Sequence, residues 1–263
     1  MTEPSASYPE LAGKVAVVTG AARGMGARFA QGLVSRGVNV VGGDINAEGM
    51  RATADAVNRE TDGNAALVAA QIDVTIADEH TRLADIALER FGQVDYWINN
   101  AGVFPQGAVL EIPAEQMRST FAVNVDGVLF GTQAAARAIG DRGGSVVNMS
   151  SVSAFRVRPT RAVYSASKAA VDHLTRFLSL ELGTTGLRVN AIAPGFIDTE
   201  MTAWLHDQPG LLEKAVASVP LGRIGTTDDI FAAVLFLLSD SASYISGSTI
   251  FVDGGSRNFS ASA

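Results

Sequence analysis

The chain has 263 residues, 47% hydrophobic and 18% charged, which suits a single α/β domain with a large core and reads as globular rather than disordered. A net charge of −7 disfavours adhesion to nucleic acid or to an anionic membrane. With no cysteine there is no disulfide, thiolate metal site or thiol nucleophile, and a reducing, cytoplasmic location is expected.

Residues 1–10 carry acid, Pro and Ser without a basic-then-apolar order, and read as a flexible N-terminal tail rather than a signal peptide. Val15–Val18 is then a near-continuous apolar run, the pattern of a strand covered on both faces. A Gly-rich turn follows and opens a helical stretch, Gly24–Ser35. The alternation continues with strand Val38–Val41 and helix Ala47–Arg59, then strand Ala66–Ala69 and helix Ala77–Phe91. Tyr96–Ile98 precedes a long helical stretch, Ala114–Ile139, and Ser145–Met149 precedes Val163–Leu182. Arg188–Ile192, helix Thr227–Leu238 and strand Thr249–Val252 complete the series. Ile230 to Leu238, the longest apolar stretch, is far short of the ~20 residues that span a bilayer, so no membrane partner is expected. Strand–helix alternation implies right-handed βαβ crossovers. The expected fold is therefore a single-domain α/β, Rossmann-type, doubly wound parallel sheet of about seven strands, with helices on both faces. It would occupy residues 11–256, with 257–263 as a C-terminal tail.

Chemistry-bearing residues cluster at the predicted strand ends. Thr19-Gly20-Ala21-Ala22-Arg23-Gly24-Met25-Gly26 joins the first strand to the first helix. Glycine there lets the backbone approach a pyrophosphate, and the helix N-terminus offers free N–H groups. Asp44 follows the second strand, where a carboxylate accepts from ribose hydroxyls and repels a 2′-phosphate, favouring NAD over NADP. Arg23 is the counter-signal, because a cation in the turn suits that phosphate. Asn99-Asn100-Ala101-Gly102 closes the fourth strand, as a close approach to ribose, a brace for the central strands, or a plain turn. Tyr164 and Lys168 stand four residues apart, one turn along a helix face. An ammonium in that place lowers the proton affinity of a phenol that ordinarily titrates near pKa ~10. Asn124, a poor helix former inside the apolar segment Phe121–Gly127, predicts a kink or a bound water. Ser150 and Ser151 end the fifth strand, where a Ser packs or caps as readily as it reacts. The three histidines show no metal-ligand spacing, and no metal is expected. His80 is expected to face solvent, His173 to lie on the polar side of its helix, and His206 to sit in an exposed loop or, by the resemblance given below, against substrate.

Taken together these motifs resemble the compact, single-domain branch of the short-chain dehydrogenase/reductase family. The likeness runs from Leu11 to Gly255 through the turn Thr19–Gly26, Asp73, Asn99–Gly102, Asn124, Ser151, Tyr164-x-x-x-Lys168 and Pro194-Gly195 followed by Thr199. The Ser151-to-Tyr164 separation of 13 residues is that family's usual one, which leaves Ser150 to pack or cap. The resemblance implies that Tyr164 is the general acid/base and that Lys168 lowers its pKa and holds the nicotinamide ribose. It gives Ser151 the substrate oxygen, and Asn124 a water that links Lys168 to solvent. It assigns the cofactor to Gly20, Arg23, Gly24, Met25, Gly26 and Asp44; to Asp73, Val74, Asn100, Ala101 and Gly102; and to Pro194, Gly195, Ile197 and Thr199, besides Tyr164 and Lys168. Ser153, Phe155, Phe196, Met201, Trp204 and Leu205, with Val103 and Phe104, would bind substrate, covered by a loop over about 196–220. So apolar a lining suits a hydrophobic secondary alcohol or ketone. Arg156 and Arg158 flank the entrance or lie in a solvated loop. A homotetramer is also implied. Two other readings stay open. One is an NADPH-dependent 3-oxoacyl-carrier-protein reductase, weakened by Asp44, the acidic balance and the apolar Leu180. The other is a non-catalytic dinucleotide-binding regulatory protein, weakened by the intact Ser151, Tyr164, Lys168 and Asn124 set.

Overall fold

The computed structural model describes residues 7–61, 63, 65–205 and 210–258. Seven strands form one parallel sheet in the order β3-β2-β1-β4-β5-β6-β7. They are β1 (Val15–Thr19), β2 (Asn39–Asp44), β3 (Leu67–Gln71), β4 (Tyr96–Asn99), β5 (Gly144–Met149), β6 (Leu187–Pro194) and β7 (Thr249–Val252). Eight α-helices connect them: α1 (Gly24–Val34), α2 (Ala47–Arg59), α3 (Ala77–Phe91), α4 (Ala114–Phe121), α5 (Gly127–Ile139), α6 (Ala162–Leu182), α7 (Leu211–Ala217) and α8 (Thr227–Leu238). Among the described residues no helix is long and apolar enough to cross a membrane.

The near-continuous apolar strands are explained by two cores. On one face Phe29 and Leu33 of α1, Met50 of α2 and Phe231 of α8 pack on Ala16, Val18 and Val40. On the other, Leu83 of α3, Ile139 of α5 and Leu178 of α6 pack on Val17, Trp97 and Val146. All five residues of β1 are buried, as expected at the centre of a doubly wound sheet. The strand order reverses between β1 and β4, which opens a crevice at their carboxyl ends.

The predicted elements stand, with informative differences. β2 runs on through Gly42 and Gly43 to Asp44, although glycine weakens a strand. A side chain at Gly42 would meet Met50 at 2.8 Å, and one at Gly43 would meet Leu83 at 2.9 Å. The two glycines therefore let helices close on both faces and carry the strand out to its acid. The predicted helix 114–139 is broken by a π-helical turn, Ala122–Asp126, centred on Asn124. Helix α7 falls in the stretch expected to be substrate loop. Pro9–Leu11 is a 3₁₀ turn with Leu11 buried, and Ser256–Asn258 is another, with Ser256 buried.

Candidate active site

The crevice between β1 and β4 widens into a cleft of about 550 Å³ lined by Gly20, Arg23, Gly24, Met25, Asp44, Asp73 and Val74 on one side. Asn100, Ala101, Gly102 and Thr199 line the other. Gly20 has φ +67, and a side chain there would lie 2.8 Å from Ala101 Cα. One at Gly26 would lie 2.0 Å from the Gly20 carbonyl oxygen. Only glycine lets α1 start so close to the strand end, and the first N–H groups of the helix are left for a ligand. Asp44 is locked: Oδ2 accepts from Ala22 N–H at 3.0 Å and Oδ1 from Asn46 N–H at 2.9 Å. Arg23 is exposed at the rim. Asp73 Oδ1 accepts from Thr75 N–H and hydroxyl at 2.9 and 2.8 Å.

The Asn-Asn pair divides its work. Asn99 is buried in a network that runs from Trp97 Nε1 to Asn99, Asn148 and Thr175, fastening β4, β5 and α6. Asn100 donates to the Thr19 and Gly20 carbonyls, both at 3.0 Å, and its buried Oδ1 has no donor. A locked carboxylate, a turn with no room for side chains and an orphaned acceptor fit a dinucleotide. His80 contradicts its expected place. It is fully buried beside Trp97 and Phe130, with Nε2 donating to the Val74 carbonyl at 2.9 Å. Burial holds its pKa below the ordinary value. His173 is exposed as expected, and His206 lies outside the described residues.

Beyond the cleft, β5 ends in Met149-Ser150-Ser151 and faces the first turns of α6. Ser151 Oγ accepts from Ser153 N–H at 3.1 Å, which leaves its own proton to donate. Its hydroxyl lies near enough to the Tyr164 hydroxyl to act on the phenol. Ser150 donates instead to the Lys168 carbonyl at 3.2 Å and staples the helix to the strand, the packing role expected of it. Lys168 is 4% exposed, and its ammonium donates to the Met149 carbonyl at 2.7 Å. Burial pulls its pKa down to about 8. Tyr164 is raised above its usual value by burial; the Ser151 hydroxyl and then the Arg161 charge oppose that rise. Lys168 Nζ lies 5.9 Å from the Tyr164 ring centroid. Arg161 is thus a second cation near the phenol, beside the Lys168 that the sequence pointed to.

Asn124 is fully buried in the π turn. It accepts from Val103 N–H at 2.9 Å and donates to the Val103 carbonyl and the Ser167 hydroxyl, both at 3.0 Å. A side chain at Gly102 would lie 3.2 Å from Asn124 Oδ1 and 3.5 Å from Lys168 Nζ. Glycine at that place leaves both side chains uncrowded.

Ser151, Tyr164 and Lys168 line a second cavity that adjoins the cleft, the two sharing Met25, Gly102 and Thr199. Val103, Phe104, Ser153, Phe196, Met201 and Trp204 line it as expected. Pro194, Gly195 and Ile197 form its rim, where Gly195 backs so closely on Asp253 Cα that a side chain would lie 2.8 Å away. Phe155 and Leu205 do not line it. Phe155 turns away onto Phe251 at 4.8 Å, and Leu205 is 2% exposed within the core. Arg156 also turns away, to the Ser256 carbonyl. Arg158 does line the cavity, and so do Val152, Arg161 and Thr202, which the sequence did not single out. Arg161 carried the signal that was available: it is a cation three residues before Tyr164, at the helix start.

A hydroxyl pair, a buried ammonium and a dinucleotide-shaped cleft can together move a proton beside a bound cofactor, and comparison with known proteins agrees. A family model described as enoyl-(acyl carrier protein) reductase matches residues 20–257. Trans-4-hydroxycyclohexanecarboxylate dehydrogenase of Sinomonas cyclohexanicum is 37% identical over 93% of this chain and 93% of its own length. The 3beta-hydroxysteroid dehydrogenase 1 of Eggerthella lenta is 39% identical over 94% of this chain and 95% of its own. A short-chain type dehydrogenase/reductase from Mycobacterium ulcerans superposes with a TM-score of 0.90 at 31% identity, over 94% of this chain and 90% of that one. Sequence match and shared architecture converge on one conclusion: the chain is an oxidoreductase of the short-chain dehydrogenase/reductase family.

Proposed function

We propose that the protein is an NAD-dependent dehydrogenase that interconverts a hydrophobic, ring-borne secondary alcohol and its ketone. The observation that carries this reading is the Ser151–Tyr164 hydroxyl pair, backed by Lys168, in a ring-lined cavity adjoining the glycine-lined cleft. Ser151 holds the substrate oxygen, and Tyr164 takes the proton from it in oxidation and returns it in reduction. Lys168 passes that proton on towards solvent through a water held by Asn124. The nicotinamide, when bound, supplies the acceptor for the hydride that leaves the carbinol carbon. Pro194, Gly195, Ile197 and Thr199 would hold its carboxamide side, Gly20 to Gly26 the pyrophosphate, Asn100 to Gly102 the ribose, and Asp73 and Val74 the adenine.

Asp44 supports NAD. Two backbone N–H groups fix its carboxylate, so it cannot swing away from a 2′-phosphate. The relatives named for a hydroxyl on a cyclohexane ring and for a hydroxysteroid support an alicyclic alcohol. The working form is a cytoplasmic homotetramer acting on a small molecule.

A panel of alicyclic secondary alcohols with NAD and NADP, followed at the nicotinamide absorbance, tests the reading. Turnover is expected with NAD. Tyr164→Phe is expected to lose about 10³-fold or more of kcat while still binding cofactor. Asp44→Ala is expected to shift the NADP/NAD preference towards NADP by roughly 10- to 100-fold, since it removes a like-charge juxtaposition. Tight NAD binding with no turnover of any member would sink the proposal and leave the regulatory reading.

A further inference from the structure

Arg158 and Arg161 both line the cavity that holds Tyr164. Arg158 lies over the Phe196 ring at 4.7 Å. Arg161 lies within 5.0 Å of the Phe104 ring centroid, 5.6 Å of Phe196 and 5.7 Å of Trp204. Rings hold a guanidinium by its face and leave its edge N–H groups unused. Neither arginine has a hydrogen-bond acceptor or a carboxylate partner among the described residues, whereas Arg28, Arg176 and Arg223 are each paired with an Asp. The buried indole Nε1 of Trp204, in the same wall, also lacks an acceptor. Two like charges in one partly enclosed, ring-lined space oppose folding unless something offsets them. Burial, with Arg156 and Arg161 as neighbouring cations, pulls Arg158 down to about 10.

We infer that the substrate carries a carboxylate, held by Arg158 and Arg161, so that the enzyme acts on an alicyclic hydroxy acid and its oxo acid. The inference rests on the dehydrogenase reading above and adds the charged end of the substrate. Arg161 stands at the N-cap of α6, three residues before Tyr164, and both side chains line the same cavity. The cavity thus sets an anion-binding group beside the group that handles the carbinol proton. A carboxylate suits the fork geometry of a guanidinium, and the apolar walls suit the hydrocarbon between the two polar ends. Once seated, the anion also offsets the Arg161 charge that bears on Tyr164, which couples substrate binding to the acidity of the phenol.

The test compares 3- and 4-hydroxycyclohexanecarboxylate with their methyl esters as substrates of the wild-type enzyme with NAD. The acids are expected to exceed the esters by about 100-fold or more in kcat/KM, and Arg158→Gln or Arg161→Gln to shrink that ratio to under about tenfold. Arg161→Lys, which keeps the charge, is expected to retain part of the preference. A second arm uses cyclohexanecarboxylate, which has no hydroxyl to oxidise, and measures its binding to the enzyme–NADH complex by calorimetry. Binding that is lost in the Arg158→Gln/Arg161→Gln double variant supports the anion site even if no alcohol is turned over, and so separates this inference from the function it rests on. Esters used as well as acids, or undiminished binding in the double variant, overturn it. Competition by inorganic phosphate but not by cyclohexanecarboxylate overturns the carboxylate assignment.

Discussion

Lys168 is an ammonium held below the protein surface with one carbonyl as its hydrogen-bond partner. Its apolar helix, with Val171, Leu174 and Leu178 following, makes that burial legible in the sequence. Its cost follows from the pKa. In the folded chain the group titrates at about 8 against an ordinary 10.5, because desolvation disfavours the charged form. Below pH 8 both folded and unfolded chains carry the charge, and the full penalty opposes folding. Between pH 8 and 10.5 the folded chain gives up its proton first, and the penalty fades as pH rises. Lys168→Met is therefore expected to abolish turnover and yet stabilise the protein at pH 7, by about 1–3 kcal/mol. Urea titrations at pH 7 and pH 10 check this, with the gap expected to narrow at the higher pH. His80 shows the limit of such reading. Its neighbours in sequence, Glu79 and Thr81, are polar, and nothing local reveals that Trp97 and Phe130 enclose it.

At the scale of elements, the strand ends that build the site follow from short apolar runs and from the glycines that bound them. The break between α4 and α5 is half legible. Asn124 amid apolar neighbours predicts a disturbance, but a π turn needs a partner elsewhere, and that partner is the Val103 main chain, 21 residues back. Periodicity sees only neighbours three and four residues away and cannot supply it. Helix α7 is missed for a simpler reason: seven residues are too few for a periodic signal. The π turn gives a direct test. Asn124→Ala leaves both the Val103 N–H and its carbonyl without their partner; a buried orphan costs about 1–3 kcal/mol, and less beside the 40% exposed Val103, where water can reach. The variant is expected to lose about 1–3 kcal/mol of stability by chemical denaturation. Its kcat is expected to fall as well, because the Ser167 hydroxyl that Asn124 engages bonds to the Tyr164 carbonyl. A stability unchanged within 0.5 kcal/mol, the ordinary scatter of surface substitutions, would show that the turn holds without it.

On the scale of the whole molecule, α6 has two unlike faces. One packs Ser167, Lys168, Val171 and Leu178 against the sheet. The other presents Ala166, Ala169, His173, Phe177 and Leu180 to solvent at helical spacing, with Phe177 51% and Leu180 76% exposed. His173 meets Phe177 edge to face at 5.1 Å and so borders this stripe. Met117 of α4 adds further exposed apolar surface, as does Leu110 just before that helix. Apolar residues repeated along one exposed helix face mark a partner surface, and the helix that carries Tyr164 and Lys168 is the one left uncovered. A second copy packed there would stiffen the catalytic helix from behind. Light scattering of the purified protein is accordingly expected to give four times the monomer mass. Phe177→Glu with Leu180→Glu places like charges in that contact and is expected to yield smaller species with reduced kcat, while the monomer fold, read by far-UV circular dichroism, persists. A wild-type protein that runs as a monomer, or a double variant that stays tetrameric, would assign this stripe to something other than self-association.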